Sequence, residues 1–235
     1  MTSWPAAVLF DFDGVIVNSE PLHCTGFQQV LAGVGIDLTE DAYYRELIGF
    51  DDRNAFAHIF RVLGRPLDEP TARRLVRDKA AAVQRMIDGG DFTALPGVDA
   101  LVRALAAAHV PRAICSGALR PEIERMLDGI GLREFFPVIV AAEDVTVGKP
   151  DPSGYLLTIA RLGRHAGVEL APADCLVIED APTVIQSVRA AGFRTMGVAS
   201  SYPLEALSHA DYAVARLTPD EVGRHVPELR VRLGA

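Results

Sequence analysis

Lysine is nearly absent from this chain: of 23 basic side chains, 21 are arginine, and the two lysines are Lys79 and Lys149. An ammonium is a compact point charge and a guanidinium a planar fork, so a chain that uses arginine almost everywhere keeps lysine where the fork would not fit. Lys79 lies in a stretch that reads as an exposed helix, where a lysine needs no special reason. Lys149, in Val147-Gly148-Lys149-Pro150-Asp151-Pro152, is the candidate for a tight site. A basic excess is missing as well. The net charge of -8 argues against nucleic-acid or anionic-membrane binding as the main business, because both need a basic face, so any phosphate handled here has to be met locally. No apolar run is long enough to span a bilayer, and no basic N-terminal segment precedes an apolar one, so a cytoplasmic protein is expected. The three cysteines, Cys24, Cys115 and Cys175, form no CxxC pair and no disulfide framework. Cys115 and Cys175 lie in apolar, strand-like runs and read as core packing.

With 235 residues, 49% hydrophobic and 23% charged, the chain is long enough for one large globular domain or for a core carrying an inserted lobe. It opens on Val8-Leu9-Phe10-Asp11-Phe12-Asp13-Gly14-Val15-Ile16, an apolar strand that ends in two carboxylates spaced by one. Side chains two apart on a strand point the same way, so Asp11 and Asp13 can converge at its end, where Gly14 lets the backbone turn. An ordinary strand closing in an Asp-Gly turn has the same pattern. The next eighty or so residues are helical in period. Phe27, Val30, Leu31 and Val34 make one apolar stripe, Phe56, Ile59, Phe60 and Leu63 a second, and Leu75, Val76, Lys79, Ala80, Val83 and Ile87 a third. Glycine-bearing breaks separate them, and Leu95-Pro96-Gly97 reads as the exit from a small helical lobe.

Beyond that exit, strands and helices alternate. Val110–Cys115, Val138–Ala142, Cys175–Ile178, Thr195–Val198 and Tyr212–Val214 read as strands; Glu122–Gly129, Tyr155–Leu162 and Val184–Ala191 read as helices. Thr218-Pro219-Asp220-Glu221 carries the N-cap, proline and acidic signals of a last helix, which Pro227 limits. The expected fold is α/β: a doubly wound parallel sheet, built from residues 1–16 and 95–235, with an α-helical cap inserted at 17–94. Ligands bind such sheets at the carboxyl ends of the strands.

Several of those ends carry polar groups. Ile114-Cys115 runs into Ser116-Gly117, a hydroxyl and a glycine before a helix N-terminus, which suits a phosphate and is equally a common turn. Leu176-Val177-Ile178 runs into Glu179-Asp180, either a helix cap or a pair of metal ligands. With Asp11 and Asp13 they make four carboxylates on strand ends, a cluster that repels itself unless a hard cation such as Mg2+ sits among it.

Asp11-Phe12-Asp13-Gly14, Ser116-Gly117, Gly148-Lys149-Pro150 and Glu179-Asp180, in this order and after the matching strands, resemble the four motifs of the haloacid dehalogenase superfamily. The helical insert resembles the cap of its beta-phosphoglucomutase-like and phosphoglycolate phosphatase-like branch. That resemblance implies roles: Asp11 as nucleophile, Asp13 as acid and base, and Ser116, Gly117 and Lys149 as phosphate holders. Mg2+ would sit on Asp11, the Asp13 carbonyl, Asp180 and, directly or through water, Glu179. It also implies a cap that sets specificity, here around Gly49 to Arg53 with His23 at the hinge, and core positions such as Arg120. A second aspartate points to phosphoryl transfer and away from the dehalogenase and phosphonatase branches. Mutase-like relatives carry a lysine just before the cap glycine and an arginine three residues after it; here those positions hold Ile48 and Asp52, with Arg53 displaced by one. Ser19 and His23 do match hinge positions of the mutase-like branch. The expected activity is therefore Mg2+-dependent hydrolysis of a small phosphomonoester, such as a sugar phosphate, by a monomer, with a dimer left open. A phosphosugar mutase is the alternative, and a catalytically silent binding module a third reading.

Overall fold

The computed structural model describes residues 4–48, 50 and 52–233. It divides into two compact units, one up to Asn18 and from Thr93 onward, the other over Ser19–Phe92.

The first unit is built on a six-stranded sheet. Its strands are β1 (Ala7–Phe10), β4 (Arg112–Cys115), β5 (Val138–Val140), β6 (Cys175–Glu179), β7 (Arg194–Val198) and β8 (Tyr212–Val214). They lie in the order β5-β4-β1-β6-β7-β8, and every pairing is parallel. Parallel strands need crossovers that cover both faces, which is why β1 and β6 are buried along their whole length and read as continuous apolar runs. The crossovers include α5 (Val98–Ala107), α6 (Arg120–Gly129), α7 (Ser153–Ala166) and α8 (Pro182–Ala190). From β1 the chain builds outward through β4 to β5, then crosses back to β6 on the other side of β1. The strand order therefore reverses beside β1, and a crevice opens at the carboxyl ends of β1, β4 and β6. Register sharpens this: Phe10 pairs with Ile114 on one side and Ile178 on the other, so the next residues of all three strands emerge at one level.

A two-residue ribbon, β2 (Val17–Asn18) against β3 (Thr93–Ala94), joins the segments where the chain leaves this unit and returns to it. The second unit holds α1 (Glu20–Ala32), α2 (Glu40–Glu46), α3 (Asp52–Val62) and α4 (Glu69–Gly89). Its core gathers Phe27, Leu31, Tyr43, Phe56, Ile59 and Leu75, with the Phe27 and Phe56 rings 4.9 Å apart. Asp68 caps α4 by accepting the Thr71 N–H at 2.8 Å, and Gly90 ends it in the left-handed conformation.

Three features differ from the sequence expectation. Lys79, expected without a special role in an exposed helix, is 3% exposed, and its ammonium pairs with Asp52. A helix at Val98–Ala107 was not expected, although Val98, Leu101, Val102 and Leu105 have helical spacing and are all buried. Pro227 does not merely end the last helix. It starts another: α9 (Pro219–His225) gives way to α10 (Pro227–Leu233), as proline at a first helical turn allows. Among the described residues no helix is long and apolar enough to cross a membrane.

Candidate active site

Asp11 follows the last residue of β1, and its backbone N–H reaches the Ile178 carbonyl at 3.0 Å, extending the β1–β6 ladder by one step. This places Asp11 beside Glu179, the last residue of β6, with Asp180 next along the chain. Carboxylate oxygens of Asp11, Glu179 and Asp180 all lie within 4.8 Å of one another, and all three residues are buried. Burial raises the Asp11 pKa well above the usual carboxylate range, and the Glu179 charge raises it further; Lys149 works the other way. Burial and then Glu179 likewise push Asp180 up. Three buried carboxylates with oxygens this close are a donor set that a hard divalent cation fits, because it neutralises charge that desolvation and repulsion otherwise penalise.

Behind Asp11 the chain turns sharply. Ile16 and Val17 both donate to the Phe12 carbonyl, and Gly14 adopts φ 75°. A side chain at Gly14 would collide with the Asp180 carboxylate and the Ser201 hydroxyl, so glycine is required both by conformation and by room. Ser201, in the loop after β7, donates to Asp180 Oδ2, and neighbouring Ser200 donates to the Gly14 carbonyl. These two hydroxyls tie the motif after β1 to the motif after β6.

Lys149 supplies the one ammonium of the cluster. Its Nζ donates to Asp11 Oδ1 at 2.5 Å, to Glu179 Oε1 at 2.7 Å and to the Tyr155 hydroxyl at 3.1 Å. Burial alone would lower the Lys149 pKa, but the Asp11 and Glu179 carboxylates outweigh it and hold the pKa well above the ordinary value, so the ammonium stays charged. Ser116, after β4, accepts the Ala118 N–H at 2.9 Å and approaches Asp13 Oδ2 at 3.5 Å. Ser116, Gly117, Gly148 and Lys149 line a cavity of about 90 Å³, with Val147, Asp151 and Gly154 among the rest of its wall. Cys115 is also in the wall, and burial pushes its thiol up to about 11, which disfavours the reactive thiolate at neutral pH.

A buried carboxylate thus faces an ammonium at the switch point of a parallel sheet. A family model described as haloacid dehalogenase-like hydrolase matches residues 5–192. The chain belongs to this family. It is similar to the validoxylamine A 7'-phosphate phosphatase of Streptomyces hygroscopicus subsp. limoneus, at 28% identity over 89% of this chain and 93% of that protein. Its similarity to the fructose-1-phosphate phosphatase YqaB of Escherichia coli K12 is 33% identity over 82% of this chain and 96% of the other. In fold it matches a beta-phosphoglucomutase of Clostridium difficile with a TM-score of 0.74, covering 98% of this chain and 99% of that one at 21% identity.

The structure brings Asp11, Asp13, Ser116, Gly117, Lys149, Glu179 and Asp180 together at one end of the sheet of this family member. It does not hold Arg120 free beside them: that guanidinium pairs with Asp144 at 2.5 Å and donates to the Ile139 carbonyl, while Glu143 accepts its backbone N–H. In the helical unit, Arg53 pairs with Glu69 at 2.7 Å, and His23 accepts from Lys79 at 2.7 Å. Gly49 lies outside the described residues. Sequence reasoning missed Tyr155 and Ser201. Nothing local marks either one, because each is defined by what it meets across the sheet.

Proposed function

We propose that this protein is a Mg2+-dependent phosphatase that releases phosphate from a small phosphomonoester, of the sugar-phosphate class, through a phosphoryl group held on Asp11. The observation that carries the proposal is the contact of Lys149 Nζ with Asp11 Oδ1 at 2.5 Å, beside a cavity lined by Ser116 and Gly117. The names of the related phosphatases support the same substrate class.

An Asp11 carboxylate oxygen attacks phosphorus in line as the bond to the leaving oxygen breaks. Asp13, two residues on and half-buried, gives that oxygen a proton. Ser116, the Gly117 N–H and the Lys149 ammonium hold the phosphoryl oxygens, where charge develops in the transition state. Asp13, now ionised, takes a proton from a water whose oxygen attacks phosphorus, breaking the bond to Asp11 and freeing inorganic phosphate. A divalent cation would be held by Asp11 and Asp180, with Glu179 beside them, and would supply the charge neutralisation that an anionic carboxylate needs to approach an anionic ester. Ile48 and Asp52, where mutase-like relatives carry lysine and arginine, favour water over a second sugar as the final acceptor.

Release of phosphate from a generic aryl phosphate tests the reading. Asp11→Asn should lower turnover by at least about a thousandfold while leaving the fold intact. EDTA should silence the wild type and Mg2+ restore it. Turnover surviving either treatment would overturn the mechanism. Conversion of a sugar 1-phosphate to its isomer, primed by a trace of bisphosphate and without net phosphate release, would replace the hydrolase with a mutase.

A further inference from the structure

Tyr155 is fully buried, six residues after Lys149 and in the first turn of α7. Gly154 lets that turn sit close to β4, since a side chain there would meet Cys115 Sγ at 2.9 Å. The ring packs edge-on against Phe193 with centroids 6.2 Å apart, and the Lys149 ammonium lies 4.9 Å from the ring centre on its face. The hydroxyl is the unusual part. It accepts from Lys149 Nζ at 3.1 Å and donates to Glu179 Oε1 at 3.0 Å, while Lys149 also donates directly to the same Oε1 at 2.7 Å. Lysine, tyrosine and glutamate therefore close a triangle.

The donor and acceptor inventory of that triangle is complete. An ammonium has three N–H groups, and those of Lys149 go to Tyr155, Glu179 and Asp11. With two fixed by buried partners behind it, the third points at the Asp11 carboxylate, on the side where a phosphoryl group attacked by Asp11 would share it. Glu179 has about four acceptor positions. Oε1 receives Lys149 and Tyr155, and Oε2 receives the backbone N–H groups of Asp180 and Ala181, each at 3.1 Å.

We propose that Tyr155 is a positioning residue for the reaction: its hydroxyl locks the Lys149 ammonium through Glu179. Glu179 is thereby committed to holding the lysine, which leaves direct metal ligation to Asp11 and Asp180. A lysine without this lock keeps its charge but loses its aim. Charge attracts a phosphate in any nearby pose, whereas transition-state stabilisation depends on alignment.

The inference rests on the phosphatase reading, and the experiment separates the two. Tyr155→Phe keeps the ring and removes only the hydroxyl; Phe193→Leu disturbs the packing and leaves the hydroxyl. For Tyr155→Phe, kcat should fall about tenfold with KM within about twofold of wild type. Its Mg2+ affinity, measured by calorimetry in the absence of substrate, should be unchanged. Phe193→Leu should lower the melting temperature while kcat stays close to wild type. The proposal is overturned by a Tyr155→Phe enzyme with wild-type kcat, by a kcat loss equally large in Phe193→Leu, or by weakened Mg2+ binding whose lost turnover returns at saturating Mg2+. If Asp11→Asn, prepared alongside, retains turnover, the phosphatase reading fails whatever Tyr155 does. An inactive Asp11→Asn with a fully active Tyr155→Phe removes this inference alone.

Discussion

The two lysines of this protein, Lys79 buried and Lys149 half-buried, are both ion-paired, yet they sit in opposite kinds of charge environment. In the helical unit, Lys79 Nζ is 2.6 Å from Asp52 Oδ1 and 2.7 Å from His23 Nδ1, and it faces the Phe27 ring at 4.9 Å. One cation meets one carboxylate, and the remaining partners are an imidazole nitrogen accepting a hydrogen bond and a π face. Between Lys79 and Asp52 one positive charge meets one negative charge. In the sheet unit, Lys149 meets Asp11 and Glu179 directly, with the Asp180 carboxylate in the same group. One cation stands against three carboxylates. An ion-paired lysine thus marks a strut where charges balance and a site where carboxylates outnumber it, because the excess negative charge there has to be met by protons or by a cation from outside the chain.

The largest test of that contrast is Lys149→Met. It should cost about a hundredfold or more in turnover of an aryl phosphate, since it removes the charge facing the phosphoryl oxygens. The same variant should gain more thermal stability from added Mg2+ than the wild type does, because its carboxylates have lost their internal counter-charge. A melting curve insensitive to Mg2+ would break the idea that the cluster is unbalanced.

Next comes an asymmetry within the balanced cluster. Asp52→Ala leaves the Lys79 ammonium, 3% exposed, without its carboxylate, and should destabilise the protein by about 3 kcal/mol. Lys79→Met removes the buried charge itself, and the Asp52 side chain, 29% exposed, can turn to water, so the loss should be smaller. Denaturant unfolding of the two variants decides the order. Equal losses would mean that the pair acts by packing and not by charge.

A smaller effect is a pH slope. Asp11 and Asp180 hold protons more tightly in the folded chain than in the unfolded one, where carboxylates titrate at about 4. Without a divalent cation, their contribution to stability is greatest below that value and falls as pH rises through their raised range. A bound cation opposes the loss. The stabilisation by Mg2+, measured by scanning calorimetry against an EDTA control, should therefore grow from pH 5 to pH 8, and a constant difference would contradict the raised values.

Much of the sheet was readable because its signals are local. The apolar run of β1, the switch at Leu95-Pro96-Gly97 and the alternation that follows are properties of neighbouring residues. The same holds for Asp11-Phe12-Asp13-Gly14 and Glu179-Asp180, since parity along a strand and the turn after it are set within a few peptides. Lys149 stood out by composition, against 21 arginines. Less legible were the β2–β3 ribbon, each strand only two residues long, and α2, seven residues long, both too short for a periodic pattern to declare itself.

By itself, then, the amino-acid order determined an α/β core with a helical insertion and the residue types able to transfer a phosphoryl group. Only the tertiary structure decided how those groups are held. Tyr155 lies 24 residues from Glu179 along the chain, and Ser201 is 21 residues from Asp180. Lys79 lies 27 residues from Asp52. Charge balance around a buried lysine is a sum over side chains that meet only when separate elements pack, and no local pattern along the chain encodes it.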